Sequence, residues 1–237
     1  MLNKKQNRGT AMTPDFWQNA WKTQQTGFNQ SKPNALLIQH FDKLNVPKQG
    51  RVFVPLCGKS VDMLWLLSQS YHVVGVELHE QAVKAFFDDH GLSATVIPHP
   101  TQPNLKQYYA AYQGQTLTIW TGNLFDVQPN DIGQIDGIYD RAALVALPDD
   151  APERMRWQYT QHLGALTRYA PQLLLAFSYD DDSGITDKEL PPFLVTRAAL
   201  DDYYAAHYDI QLIAKEKAEY VSTRADSGYR LAYVLTA

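Results

Sequence analysis

A single cysteine, Cys57, stands among 237 residues. No internal disulfide can therefore staple the fold, and a reducing compartment, the cytoplasm, suits the chain. A basic excess is also missing: 21 Lys and Arg face 25 Asp and Glu, for a formal charge of −4. That balance speaks against a protein that tracks nucleic-acid phosphates with a basic face. No apolar run reaches the ~18 residues of a membrane helix, and no charged, apolar and small-residue pattern of signal-peptide type opens the chain. The seven histidines are scattered, without ligand spacing or a second cysteine, so no metal site is expected. A glycine-rich nucleotide loop is lacking too. Gly58-Lys59-Ser60 lacks the upstream glycine that a phosphate-binding loop needs, and no Gly-x-Gly-x-x-Gly follows any apolar strand. Asp180-Asp181-Asp182 lacks the spacing of a calcium loop and reads as a solvated turn.

What is present is an ordinary globular composition, 45% hydrophobic and 19% charged, long enough for one α/β domain with its own core. Residues 1–11 are polar and basic with no apolar period; they read as a leader or disordered tail, with a single domain over 12–237. From Thr13 the pattern is helical, with Phe16, Trp17, Ala20 and Trp21 at helical spacing up to a break at Gly27-Phe28. Asn34 caps a second helix whose apolar face is Leu37, Ile38, Phe41 and Leu44. Strands are expected at 51–56, 72–77, 95–97, 117–121, 135–139 and 173–178, with 99–107 as loop. Helices are expected at 61–70, 80–90, 151–170 and 197–206, and a closing antiparallel pair at 210–221 and 229–235. Strands alternating with helices predict a mostly parallel sheet covered on both faces.

In such sheets ligands bind beyond the C-terminal strand ends. Leu56-Cys57-Gly58-Lys59-Ser60 follows the first strand. Glu77 ends the second, nineteen positions after Gly58, where an acid can accept hydrogen bonds from a ribose diol or simply be solvated. Thr121-Gly-Asn-Leu-Phe-Asp126 and Asp136-Gly-Ile-Tyr-Asp-Arg141 follow later strands. A ribose acid behind a loop with one glycine suits a ligand that has ribose but no pyrophosphate, as S-adenosylmethionine has. Cys57 reads as packing at the turn rather than as a nucleophile.

With these residues in view, the chain from Met12 onward resembles the thiopurine S-methyltransferase family. The resemblance rests on Phe16-Trp17 through Trp21, on Gly27-Phe28, on Pro55-Leu-Cys-Gly-Lys-Ser60 with Asp62 and Trp65, and on Val73-Val-Gly-Val-Glu77. It rests further on Asp140-Arg-Ala-Ala-Leu-Val-Ala-Leu-Pro148, on Ser178-Tyr-Asp180 and on Pro191-Pro-Phe193. It implies a Rossmann-like methyltransferase fold: a seven-stranded sheet with one antiparallel strand, helices on both faces, and an N-terminal helical lid. The implied cofactor is S-adenosylmethionine, leaving as S-adenosylhomocysteine. In this reading Trp17, Trp21 and Phe28 fold over the cofactor, Leu56 and Gly58 approach its methionine part, Glu77 holds its ribose, and Asn123 and Leu124 flank its adenine. Arg141 sits between cofactor and acceptor and is the expected catalytic residue; Phe28 and Phe193 help form the acceptor wall. Two positions depart from the family pattern: Asn29 stands where the family commonly has histidine, and Leu190 where it often has glycine.

The implied reaction is methyl transfer to sulfur of an aromatic or heterocyclic thiol by a monomeric enzyme that binds neither nucleic acid nor membrane. An acceptor of selenium or tellurium oxyanion or small chalcogenide type is the nearest alternative. A non-catalytic S-adenosylmethionine-binding protein and a nucleotide-dependent enzyme using Gly58-Lys59-Ser60 are the alternatives of other classes. Two further expectations come with the reading: removing Glu77 spares the fold, since a strand-end carboxylate is not core, and Asp140 either positions Arg141 or accepts a proton.

Overall fold

The computed structural model describes residues 29–150, 152–179, 191–218 and 228–237. The expected leader and N-terminal helical lid, with Trp17, Trp21 and Phe28, lie outside the described residues, as do Asp180-Asp181-Asp182 and Leu190.

The first described helix, α1 (Ala35–His40), starts at Asn34, whose side-chain oxygen accepts the Leu36 N–H at 3.0 Å. It runs on into a 3-10 turn, Phe41–Leu44. Leu36, Leu37, Phe41 and Leu44 are buried while Ile38 is half exposed, so Leu36 takes the place expected for Ile38 on the apolar face. Then come β1 (Arg51–Val54), α2 (Asp62–Ser68), β2 (His72–Glu77), α3 (Glu80–Asp89), β3 (Thr95–Pro98), β4 (Lys106–Tyr112) and β5 (Gln115–Thr121). The second half holds α4 (Pro129–Ile132), β6 (Gly137–Arg141), α5 (Met155–Thr167), β7 (Gln172–Tyr179), α6 (Arg197–Tyr204), β8 (Asp209–Ala218) and β9 (Gly228–Thr236).

The strands form one sheet in the order β3-β4-β5-β2-β1-β6-β7-β9-β8. The stretch from β5 to β7 is parallel, and β9 lies antiparallel between β7 and β8. The expected seven-stranded sheet with one antiparallel strand is thus present, from β5 to β8. The whole sheet has nine strands, because β3 and β4 add an edge extension in which β4 is a second antiparallel strand. The expected loop at 99–107 runs straight into β4. Its sequence signal is the aromatic run Tyr108-Tyr109-Ala-Ala-Tyr112 before Gln113-Gly114. Both turn residues have positive φ (50° and 89°) and connect the pair Tyr112–Gln115, the two-residue hairpin turn that matches strand twist.

Central strands are apolar on both faces, as a covered parallel sheet requires. Alternate residues enter two separate cores. Phe53, Val74, Val76, Ile138 and Leu174 pack with α5 and α6 through Tyr159, Leu163, Leu200 and Tyr204. Val52, Val54, Val73, Tyr139 and Leu173 pack with α1, α2 and α3 through Leu37, Met63, Leu66, Val83 and Phe86. Among the described residues no helix is long and apolar enough to cross a membrane.

Gly75 shows why β2 tolerates no side chain at its centre. A Cβ there would lie 2.7 Å from Cys57 Sγ, and Cys57 is itself buried and free. The turn after β1 folds back onto β2, held by the Cys57 N–H donating to the Val76 carbonyl at 3.0 Å. Gly75→Ala is expected to cost about 1–3 kcal/mol as overpacking. Cys57→Ala in the same chain, which removes the sulfur, is expected to return most of it, both read from urea unfolding midpoints.

Candidate functional site

The chain leaves β1 toward β2 on one side and later places β6 on the other, so strand order reverses at β1 and β6. Ligands of open α/β sheets bind outside the C-terminal ends at such a reversal. Register puts Val54 beside Gly75 and Phe53 beside Ile138. Two to three residues further along, Leu56 falls between Glu77 and Arg141. Glu77 and Arg141 therefore flank the end of β1, one strand spacing away on either side, about 10 Å apart.

Backbone geometry at this reversal is unusual. Leu56 (φ 45°) and Ala142 (φ 64°) both take the left-handed conformation that L-residues avoid, and Gly58 (φ 52°) takes it too. Each non-glycine case costs roughly 1–2 kcal/mol, and such strain gathers at functional sites. Here it turns the chain sharply away from β1 and β6 and leaves Leu56, Gly58 and Arg141 at the lip.

Glu77 is 6% exposed. Its Oε2 accepts the Gly58 N–H at 2.7 Å and its Oε1 accepts the His79 N–H at 2.8 Å. Burial pushes this carboxyl up, while the N–H donors of His79, Gly58 and Leu78 pull it back. The carboxylate is thus not at the surface of the strand end, as its position in the sequence suggests: buried, it ties the β1 turn to the entry of α3. Each oxygen accepts one N–H and a carboxylate oxygen has a second lone pair, so the acid can still receive hydroxyl donors. The next residues leave unsatisfied or exposed groups in the same place. His79 Nε2 is buried without a hydrogen-bond partner, and burial lowers the affinity of this imidazole for a proton. Leu78 is 38% exposed, and Phe125, after β5, is 37% exposed.

Asn123 and Leu124 follow β5 in a short turn. Asn123 caps the 3-10 turn Leu124–Asp126, its Oδ1 accepting the Phe125 N–H at 3.2 Å. Leu124 buries its side chain in the core, while its carbonyl meets His162 Nε2 at 2.9 Å. Exposed apolar surface at these strand ends is offered by Leu78 and Phe125, which no sequence pattern singles out. Exposed apolar side chains next to a strand-end acid would have been the signal, but exposure is not written in sequence.

Arg141 is the last residue of β6, with its side chain 14% exposed and Nη1 3.7 Å from Asp62 Oδ2. Its neighbour Asp140 points to the other face of the sheet. There its fully buried carboxylate accepts from the Tyr159 hydroxyl at 2.7 Å and the Leu144 N–H at 3.2 Å. Strand alternation separates the two side chains, so Asp140 neither orients Arg141 nor faces an acceptor at its side. Phe193 is also buried, 3% exposed, under the Arg156 guanidinium at 5.6 Å from the ring centre. Its N–H donates to the Val145 carbonyl at 2.7 Å, so the segment after the undescribed stretch is pinned to β6's following turn. Burial pushes the Cys57 thiol well above its ordinary value, with the Glu77 charge adding to it, which keeps the sulfur protonated and inert as a nucleophile. Among the described residues no group of three or more His, Cys, Asp or Glu can hold a metal ion.

The residues at this edge fit S-adenosylmethionine. A buried strand-end acid suits a ribose diol, exposed Leu78 and Phe125 suit a flat heterocycle, and the orphaned His79 Nε2 awaits a polar partner. The thiopurine S-methyltransferase family matches residues 12–231. A thiopurine S-methyltransferase of Psychrobacter cryohalolentis is 43% identical over 200 residues, covering 84% of this chain and 88% of that protein. One of Acinetobacter baylyi is 34% identical over 226 residues, covering 95% and 99%. Among solved structures, a 1,6-didemethyltoxoflavin-N1-methyltransferase of Burkholderia thailandensis with bound S-adenosylhomocysteine is similar in fold. Its TM-score is 0.59 at 15% identity, covering 94% of this chain and 86% of that one.

Burial raises the Asp140 carboxyl to about 6, against a hydrogen bond from Tyr159 that holds it down. The folded state therefore takes up this proton more readily than the unfolded chain. The stability Asp140 contributes is fully present below about pH 4 and is lost as pH rises through about 6. Asp140→Asn removes the titration. Stability of the parent relative to this variant is expected to fall by about 2–3 kcal/mol between pH 4 and pH 7, at 1.36 kcal/mol per unit, read by urea unfolding across that range.

Proposed function

The chain belongs to the thiopurine S-methyltransferase family, and we propose on that premise that it methylates the sulfur of an aromatic or heterocyclic thiol. As a family member it is an S-adenosylmethionine-dependent methyltransferase. The acceptor class is our reading, and the observation that carries it is the placement of Arg141. A cation at the lip of β6 stands one strand away from the β1 turn, across it from the buried acid Glu77.

When bound, the cofactor supplies a methyl group already activated on a sulfonium sulfur. The chain's part is orientation and charge placement. Glu77 would receive the ribose hydroxyls while holding Gly58 and His79 in place. Leu56 and Gly58, turned out by their left-handed backbone, approach the methionine part; Leu78 and Phe125 offer apolar surface to the adenine. Arg141 holds the acceptor as a thiolate. A guanidinium is a fixed cation, so it stabilises an anion without acting as a base. Heterocyclic thiols ionise more easily than aliphatic ones, so this arrangement needs no strong general base. Trp17, Trp21, Phe28 and Phe193 belong to the same reading as the cover and wall of the acceptor side, and a monomer is sufficient to assemble it. The two alternatives within the site, a chalcogen acceptor and binding without turnover, are separated by a methyl-transfer screen over aromatic thiols, selenite and tellurite. Turnover confined to the oxyanions overturns the thiol reading, and absence of turnover on all of them overturns methylation of either acceptor class.

Charge-assisted hydrogen bonds contribute about 1.5–3 kcal/mol each, and 1.4 kcal/mol is tenfold. Glu77→Ala is therefore expected to weaken S-adenosylhomocysteine binding at least about tenfold by calorimetry, and to lower the melting temperature because two buried N–H groups lose their acceptor. Glu77→Gln, which keeps one acceptor oxygen, should fall between. Unchanged affinity in a folded variant assigns Glu77 to structure alone.

Arg141→Ala is expected to lower kcat/KM for an aromatic thiol by roughly tenfold, with a smaller change in cofactor affinity. The effect stays below the 10²–10³ seen at oxyanion sites, because a thiolate loses charge as it attacks. Arg141→Lys should recover part, since the fork geometry is lost. Loss of cofactor binding with normal turnover at saturating cofactor would make Arg141 a cofactor ligand instead.

A further inference from the structure

Asp62 sits in the first turn of α2, where its sequence neighbours are Ser60, Val61 and Met63. Nothing in that context marks it as more than a helix-start acid. In the fold it is 1% exposed and gathers three elements. Its Oδ1 accepts the Asn34 N–H at 2.8 Å, at the cap of α1. Its Oδ2 accepts the Tyr139 hydroxyl at 2.9 Å, from the middle of β6. Arg141 Nη1 lies 3.7 Å from that same Oδ2. Tyr139 and Arg141 are two apart on β6, so both face the α1–α2 side of the sheet, whereas Asp140 faces α5. Burial and then the Asp62 charge push the Tyr139 phenol well above its ordinary value. The hydroxyl therefore remains a donor to the Asp62 carboxyl beside Arg141.

Two hydrogen bonds already satisfy much of the buried carboxylate. The Arg141 contact is longer than the 2.7–2.9 Å of a charge-assisted hydrogen bond, so it adds little as a clamp. Its effect is on Arg141: a fixed negative charge beside one nitrogen of the fork sets where the guanidinium rests. That matters for a charged acceptor, because the guanidinium can orient it toward the methyl group only from a defined place, and lost orientation lowers kcat/KM.

We propose that Asp62 is a positioning residue for the methyl acceptor: it sets the place of Arg141 at the lip of β6 and joins it to the start of α1. The inference rests on Arg141 acting on the acceptor. Asn at position 62 can keep the acceptor for the Asn34 N–H but cannot carry the charge that faces Arg141, so Asp62→Asn isolates the second function.

The test is a double-mutant cycle with Asp62→Asn, Arg141→Ala and both together, using 4-nitrothiophenol, which is ionised at neutral pH, as acceptor. Asp62→Asn is expected to lower kcat/KM about fivefold to tenfold, with S-adenosylhomocysteine affinity changed less than about twofold. In the Arg141→Ala background it should change kcat/KM less than about twofold. Asp62→Glu, which restores the charge, should recover part of the loss. A merely structural Asp62 would lower the melting temperature and active fraction alike in both backgrounds, and would leave the acceptor KM where it was. Should Asp62→Asn not fold, Tyr139→Phe takes its place. It removes one donor from the same carboxylate, and is expected to shift the acceptor KM at least about twofold with Arg141 present and not in its absence. Independent, multiplying effects of either change with Arg141→Ala overturn the Asp62 role alone. An Arg141→Ala variant with unchanged kcat/KM overturns the Arg141 reading and this one with it.

Discussion

A buried carboxylate must find donors or give up its charge, and at the C-terminal edge of this sheet the need is met by bringing separate chain segments together. Glu77 takes the N–H of Gly58 from the turn after β1 and the N–H of His79 at the entry of α3. These two bonds draw the turns of adjacent parallel strands into one rim. The left-handed Leu56 and the close seating of Cys57 on Gly75 belong to the same knot. Loosen Glu77, and the β1 turn keeps its Cys57 N–H bond to the Val76 carbonyl but loses its tie to the entry of α3.

Two other acids do similar work along the neighbouring strand, on opposite faces. Asp140 is held by Tyr159 and Leu144 toward α5 and α6, and Asp62 by Asn34 and Tyr139 toward α1. Alternation along β6 sends Tyr139 and Arg141 to one face and Asp140 to the other. Adjacent residues of one motif thus do different jobs: Asp140 anchors the strand to the helix layer behind it, and Arg141 is left at the lip with Asp62 behind it. A carboxylate lies on the β2 side of the β1 turn and a guanidinium on the β6 side.

Strand and helix types, their order and the parallel sheet were legible in the amino-acid sequence because buried parallel strands are short apolar runs and their covering helices repeat at 3.6 residues. Glu77 could be found from its distance to Gly58, and Arg141 from its place at the end of β6 within the family motif. The strand β4 was not found, since its signal lies in the Gln113-Gly114 turn and an aromatic run rather than in a strict apolar alternation. Ile38 and Leu36 exchange places because a helix of six residues shows too little of its period to fix which face is inward.

What local sequence determined is therefore the set of elements and the chemistry available at their ends: an acid after β2, one glycine after β1, an arginine closing β6. What only the tertiary structure decided is how those side chains are spent. Leu124 goes to the core and Phe125 to the surface, Glu77 ties the β1 turn to the entry of α3, and Asp62, 79 residues before Arg141 in the chain, stands beside it. Periodicity reports which side of its own element a residue occupies. Partners brought together by sheet order and strand register are set by packing across the whole domain, and no local pattern carries that distance.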